Sequence, residues 1–260
     1  MGTVIALPPM KLAWMAVTGL QGMVTATSYA SETKDPAPYS KFATESKVAE
    51  KMGTQIPSRI GMLIIYTPAL IASVLQIMIG PRGVGDATSV ISMMLCGHML
   101  KRDLEVLFLH KYSGGTPIGN ALMIGTFYCL STILINTAVR TEEALSGPPG
   151  FMMLGTAMYV IGQLGNFYHH WLLANLRKGP SSGYIVPSGG FFEYVTMPHY
   201  FFELIAWYGI AVAARQLNVL LVATGMTSYL FGRSVSTTQW YRKKVANYPP
   251  ERKHIVPFLF

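Results

Sequence analysis

Apolar residues in this chain come in long blocks. Runs with few or no charges cover about 12–29, 60–80, 86–100, 117–139, 150–173, 199–214 and 216–232. A bilayer core of about 30 Å needs about 20 helical residues, and shorter helices occur at the margin. The pattern therefore predicts an all-α membrane protein with seven transmembrane helices. The first run, inside MGTVIALPPMKLAWMAVTGL, could also be a signal peptide. Lys11 lies within it and no clear small-x-small cleavage step follows, so it is read as the first span.

Between the runs the chain is polar. ASETKDPAPYSKFATESKVAEKMGTQIPSR (30–59) reads as a cytoplasmic loop with a helical piece at 42–52, and SSGYIVPSGGFFEY (181–194) as an ordered loop with Gly and Pro turns. The tail from Trp240 is basic and aromatic. With no internal repeat and no coherent soluble segment, residues 1–260 are read as one membrane domain.

Composition agrees with this reading. Hydrophobic residues make up 51% of the chain and charged residues only 12%, where soluble proteins carry about 25%. The 20 Lys and Arg set an orientation, because cytoplasmic loops collect them. With the N-terminus luminal and the C-terminus cytoplasmic, only Lys11, Arg82, Arg140 and Arg215 fall on the luminal side. General attraction to anionic lipid explains the net charge of +8 but not this alternation. No nucleic-acid partner is expected; the lipid bilayer is. Cys96 and Cys129 have neither pairing nor metal spacing, and the chain has no Asn-x-Ser/Thr sequon, which suits an internal membrane. GPRGVG (80–85) lacks the G-x-G-x-x-G spacing and follows an apolar run where a short strand is required, so no soluble dinucleotide fold is expected.

Four polar sets sit at the cytoplasmic ends of these runs, each at helical spacing. They are His98, Lys101, Arg102 and Glu105; Asn166, His170 and Arg177; His199 and Glu203; and Arg233, Thr237 and Tyr241. Ionisable groups at membrane depth are costly and face a bundle interior or an aqueous cavity. Interfacial anchoring, or ion pairing such as Lys101 with Glu105, accounts for any single set. Four one-sided sets at one depth predict a shared polar cavity open to the cytoplasm. Its arginines and Lys101 suit phosphates. Asn166, His199 and Glu203 suit ribose hydroxyls or an amide, and Tyr39, Tyr184, Trp207 and Tyr241 suit stacking or hydroxyl bonds. Together they point to a multiply phosphorylated cofactor. His169 and His170 point about 100° apart on a helix, which disfavours a joint metal site, and no metal is expected.

GNFYHHWLLANLRK (165–178), IVPSGGFFEYVTMPHYFFELIAWYG (185–209) and YRKKVANYPPERKHIVPFLF (241–260) resemble the steroid 5α-reductase family, which also holds very-long-chain trans-2-enoyl-CoA reductases and polyprenol reductases. YSKF (39–42), IPSRIGMLIIYTPA (56–69) and HMLKRDLEVLFLHKYSGG (98–115) extend the likeness over most of the chain, with the family core at about 160–260. The chain is most similar to the short plant-type members. The resemblance implies a seven-helix domain that binds NADPH from the cytoplasmic side and delivers a hydride to the β-carbon of an α,β-unsaturated carbonyl, in the endoplasmic reticulum membrane. It further implies that Asn166, Arg177, His199, Glu203, Arg233 and Tyr241 contact the cofactor, with Tyr39, Arg102 and Tyr184 assisting; His170 and Thr237 join that site through the helical spacing of their sets.

The chain departs from the steroid-reducing pattern at three positions. Tyr66 stands where a Glu is expected, Met99 where a Tyr is expected and Thr237 where a His is expected. Tyr66 is therefore the expected donor to the substrate carbonyl, with His98 or Lys101 as alternatives. The expected substrate is a hydrophobic enone, a 3-oxo-Δ4-steroid or similar lipid. The alternatives are a trans-2-enoyl-CoA of fatty-acid elongation, or a silent member that binds lipid or cofactor without turnover.

Overall fold

The computed structural model describes residues 9–43, 49–79, 87–112, 114–141, 149–176 and 185–259. Seven α-helices are found among them: α1 (Pro9–Lys34), α2 (Ser58–Ile79), α3 (Ala87–Leu104), α4 (Ile118–Thr141), α5 (Pro149–Leu176), α6 (Pro198–Ala214) and α7 (Leu217–Lys244). Each apolar run corresponds to one of these helices, to within a residue or two at its ends among the described residues. Several helices outlast their runs, α7 by three further turns of polar sequence ending at Lys244. α3 continues into a π-helical turn, Glu105–Leu109. The described part of the 42–52 piece consists of 3₁₀ turns at Ser40–Phe42 and Ala49–Met52, and 44–48 lie outside the described residues. A short antiparallel clip, β1 (Gln55–Pro57) with β2 (Gly115–Pro117), pairs Ile56 with Thr116 and ties together the starts of α2 and α4.

Small residues decide how closely the helices approach, as expected where apolar surroundings supply no hydrophobic drive between them. A β-carbon on Gly162 of α5 would lie 2.4 Å from the Ala206 nitrogen of α6, and one on Gly155 would lie 2.5 Å from the Ala213 nitrogen. In α2, Pro68 has no N–H to give the Ile64 carbonyl. Gly125 lets α4 close on that same carbonyl, 2.5 Å from where a β-carbon would stand. α1 and α7 are laced by polar contacts: Gln21 Nε2 donates to Asn218 O (2.9 Å), Ser228 Oγ to Thr25 O (2.6 Å) and Ser236 Oγ to Glu32 O (2.9 Å).

The interior carries Glu32, Arg102, Glu105, Asn166, Glu203 and Arg233, all buried, while Met78, Ile79, Met153 and Leu164 are exposed. Buried charges and large exposed apolar side chains, set beside an otherwise apolar core, are the departures from the distribution water imposes. Among the described residues two helices are long and apolar enough to cross a membrane, Ser58–Ile79 with a mean hydropathy of 2.1 and Ile118–Arg140 with 1.7.

Gly162→Val should force α5 from α6 and cost about 1–3 kcal/mol, lowering the melting midpoint in detergent by about 2–4 °C per kcal/mol. Gly22→Ala, at a position with nothing within 4 Å, should leave it unchanged. Equal midpoints for both variants would contradict the close-packing account.

Candidate functional site

Six helices enclose a cavity of about 780 Å³ near one set of their ends, within the range of about 300–1,000 Å³ typical of small-molecule sites. Its walls differ chemically. α2 and α4 contribute a largely apolar side with Met62, Ile65, Tyr66, Ile124 and Tyr128. α3, α5, α6 and α7 contribute Arg102, His170, His199, Glu203, Arg233, Thr237 and Tyr241. The segment after α1 adds Tyr39, Ser40, Lys41 and Phe42, and the loop after α3 adds His110 and Tyr112.

One carboxylate organises the α3 side. Glu105 opens the π turn, a feature frequent at functional sites. Lys101 Nζ lies 3.0 Å from its Oε1, and Arg102 Nη1 lies 2.7 Å from its Oε2. His170 Nδ1 of α5 stands 3.0 Å from Oε2 and 3.1 Å from Arg102 Nη1. Lys101 also donates to Asn166 Oδ1, and Asn166 Nδ2 donates to the His199 carbonyl (2.8 Å), so the network binds α3, α5 and α6 together. Glu105, His110 and His170 bring potential metal-ligating atoms within 4.8 Å of one another. The Arg102 guanidinium bonds to two of the three, so a cation already satisfies them.

Tyr66 is held by the same arginine. Arg102 Nη2 donates to the Tyr66 hydroxyl at 2.8 Å, and the guanidinium lies 4.8 Å from the ring centroid. Arginine has no acceptor. The phenol oxygen therefore receives this bond, and its own proton must be directed elsewhere. Tyr66 lines the cavity, and its ring meets Tyr128 edge-on with centroids 5.5 Å apart.

On α7, Tyr229, Arg233, Thr237 and Tyr241 follow one another every four residues and all line the cavity. The Tyr229 and Tyr39 hydroxyls are 2.8 Å apart. The segment before α6, which adds Ile185, Pro187 and Phe192 to the lining, is held by His169. Its Nε2 accepts from Phe191 N (3.1 Å), which leaves Nδ1 to donate to the Gly165 carbonyl (2.7 Å). Gly190 there has φ +55°, and a β-carbon would meet Tyr168 at 2.8 Å. The C-terminal tail secures this loop, with Arg252 Nη1 donating to Pro187 O (2.6 Å) and Lys253 N to Tyr194 O (2.9 Å).

Of the residues expected from the sequence, Tyr39, Tyr66, Arg102, His170, His199, Glu203, Arg233, Thr237 and Tyr241 line this one cavity. His98, Lys101 and Asn166 are not among the described residues that do. His98 turns to Gln163 (2.7 Å) and Trp207, and Lys101 to Glu105 and Asn166. Arg177 and Tyr184 lie outside the described residues.

A family model described as 3-oxo-5-alpha-steroid 4-dehydrogenase matches residues 116–260. The chain belongs to the steroid 5α-reductase family. It is 30% identical over 250 residues to rat 3-oxo-5-alpha-steroid 4-dehydrogenase 1, covering 92% of this chain and 93% of that protein. It is 32% identical over 218 residues to polyprenal reductase from Xenopus laevis, covering 75% and 68%. With very-long-chain enoyl-CoA reductase from Dictyostelium discoideum it shares 30% over 164 residues, covering 62% of this chain and 55% of that one. The names of these relatives are those of a dehydrogenase and two reductases, and the chain is of the oxidoreductase type.

Several cavity residues of this family member were not expected from the sequence. Tyr229 was detectable, since the four-residue series on α7 extends one turn back from Arg233. Tyr128 lies in an uncharged apolar run with no charged neighbour. Glu32, which is not among the residues lining the cavity, has its partner 201 positions away.

His110, beyond the end of α3, is held down to about 3 by burial and by the nearby His170 and Arg102. An imidazole that stays neutral in the fold but protonates in the unfolded chain near its ordinary value of about 6.5 makes stability fall as pH falls. This contribution is complete above about pH 6.5 and is lost on the way down toward 3. The melting midpoint should therefore drop between about pH 7 and 5, and His110→Gln should shrink that drop. An unchanged pH dependence in the variant would rule out His110 as its source.

Proposed function

We propose that this protein is an NADPH-dependent reductase of the conjugated carbon–carbon double bond of a lipid enone, a 3-oxo-Δ4-steroid or a close chemical relative. The observation that carries the reading is the Tyr66–Arg102 pair on the boundary between an apolar wall and a cationic, hydroxyl-rich one. A lipid enone matches the first wall and a phosphorylated nicotinamide cofactor the second.

The residues present fit such a cofactor. His199 Nδ1 is buried without a hydrogen-bond partner among the described residues, on a side chain that lines the cavity. Arg102, His170 and Tyr39 would hold the cofactor's polar groups together with Glu203, Thr237 and Tyr241, assisted by Asn166 through His199 and by Arg177 and Tyr184. Arg233 stands in the same wall. Bound NADPH supplies the hydride that reduces the β-carbon.

The chain's own residues do the rest. Tyr66 donates its free hydroxyl proton as a hydrogen bond to the substrate carbonyl, where negative charge develops as the β-carbon is reduced. Arg102 donates to the same phenol oxygen and strengthens it as a donor, because the two bonds polarise one another in a low-dielectric site. Ile65, Ile124 and Met62 exclude water from the apolar side. The α-carbon takes its proton from water, which completes addition of a hydride and a proton across the bond.

We place the seven helices across the endoplasmic reticulum membrane as one domain, with the N-terminus luminal and the C-terminus cytoplasmic. The apolar exposed surface and the distribution of Lys and Arg support this. A trans-2-enoyl-CoA is the second substrate reading, favoured by the similarity to the Dictyostelium enoyl-CoA reductase.

The purified protein in detergent should oxidise NADPH when offered progesterone and not when offered a long trans-2-enoyl-CoA. The opposite preference would move the assignment to the second reading, and oxidation with neither would sink both. Tyr66→Phe should lower turnover about 100-fold, the usual loss for one oxyanion donor, with NADPH affinity unchanged. Full turnover in that variant would remove Tyr66 from the role.

A further inference from the structure

Arg233 is more fully committed within the protein than a cofactor-binding arginine need be. Its Nη1 donates to Glu32 Oε1 at 2.7 Å and to the Ala37 carbonyl at 2.8 Å, and its Nη2 donates to the Tyr39 carbonyl at 2.9 Å. Glu32 returns a bond to the same segment, its Oε2 accepting from Ala37 N at 3.0 Å. Both side chains are almost completely buried, at 2% and 5% exposure. The guanidinium is sandwiched against two rings of the segment, 3.9 Å from the Tyr39 centroid and 4.5 Å from that of Phe42.

The segment thus fastened, residues 35–43, has no regular structure beyond the single 3₁₀ turn at Ser40–Phe42. It contains Ser40 at φ +57°, a left-handed conformation that a non-glycine residue keeps only when its surroundings impose it. It forms one flank of the cavity, to which Tyr39, Ser40, Lys41 and Phe42 all contribute. The Tyr39 hydroxyl meets Tyr229 one helical turn before Arg233 on α7. A planar fork with fixed donors can hold a carboxylate and two carbonyls at once, and an ammonium cannot span them.

We propose that Glu32 and Arg233 form a positioning pair that straps residues 35–43 against α7, so that Tyr39 and Phe42 complete the ligand-binding flank. The pair acts through the strap rather than by touching the ligand. Its effect on NADPH affinity rests on the function proposed above, whereas the ordering of the strap does not.

The test combines amide hydrogen exchange of the ligand-free protein with steady-state kinetics, on Glu32→Gln, Arg233→Lys and the double variant. Glu32→Gln keeps the side-chain shape and removes the charge; Arg233→Lys keeps the charge and removes the fork. Each single variant should speed exchange of peptides covering 35–43 by about tenfold, leaving the helices unaffected. Because the residues act as one unit, the double variant should be no faster than either single one. KM for NADPH should rise by a similar factor, with kcat changed little.

Unchanged exchange in 35–43 would overturn the proposal. So would exchange that rises equally in all helices, which would mark the pair as general support of the fold. A KM that rises for Arg233→Lys but not for Glu32→Gln would also overturn it, in favour of direct contact between Arg233 and the cofactor. If Arg233→Lys fails to fold, the isosteric Glu32→Gln decides alone. Faster local exchange in a protein that does not bind NADPH would uphold the strap and refute the cofactor reading.

Discussion

A buried carboxylate must be neutralised where it stands, because an uncompensated charge in a low-dielectric interior is costly. Glu105 meets that requirement with Lys101 and Arg102 from its own helix and His170 from α5. The consequences spread outward. Arg102, fixed on Glu105, presents its other amino group to Tyr66 on α2. Lys101, fixed on the opposite oxygen, reaches Asn166 and through it the start of α6. The π turn that begins at Glu105 is the local backbone irregularity at which this network forms.

The cavity is amphipathic because two kinds of helix packing meet around it. Glycine-mediated contact brings α5 onto α6 and α4 onto α2 closely enough that backbone meets backbone. Toward their cavity-facing ends the α2 and α4 pair remains apolar, whereas α3, α5, α6 and α7 present charge and hydroxyls. A ligand with a hydrophobic body and a polar, phosphorylated companion suits that division. The family relatives, which by their names act on steroid, polyprenal and enoyl-CoA substrates, share a lipid-like reactant.

α7 works as a ruler along one side of this space. Tyr229, Arg233, Thr237 and Tyr241 repeat at intervals of four, which keeps successive side chains on one face of a helix. Glu32 lies in the last turn of its partner α1, so the ion pair with Arg233 joins α1 to α7 and carries the segment after α1 onto the cavity wall.

The sequence by itself determined where the helices lie, because apolar blocks are a local property and each coincided with one helix. It also showed that polar residues recur on single faces near one set of helix ends, and nine of the residues singled out line a common cavity. Other features were not legible. The π turn at Glu105 lies within an unbroken helical pattern, and His98, three residues before Lys101, turns to Gln163 instead of the cavity. The binding of Arg233 to Glu32 spans 201 positions, and nothing local to either residue announces it. Helical spacing sets which face a side chain occupies. Only the packing of seven helices decides which partner waits there, since a buried charge takes its meaning from the groups that long-range contacts bring to it.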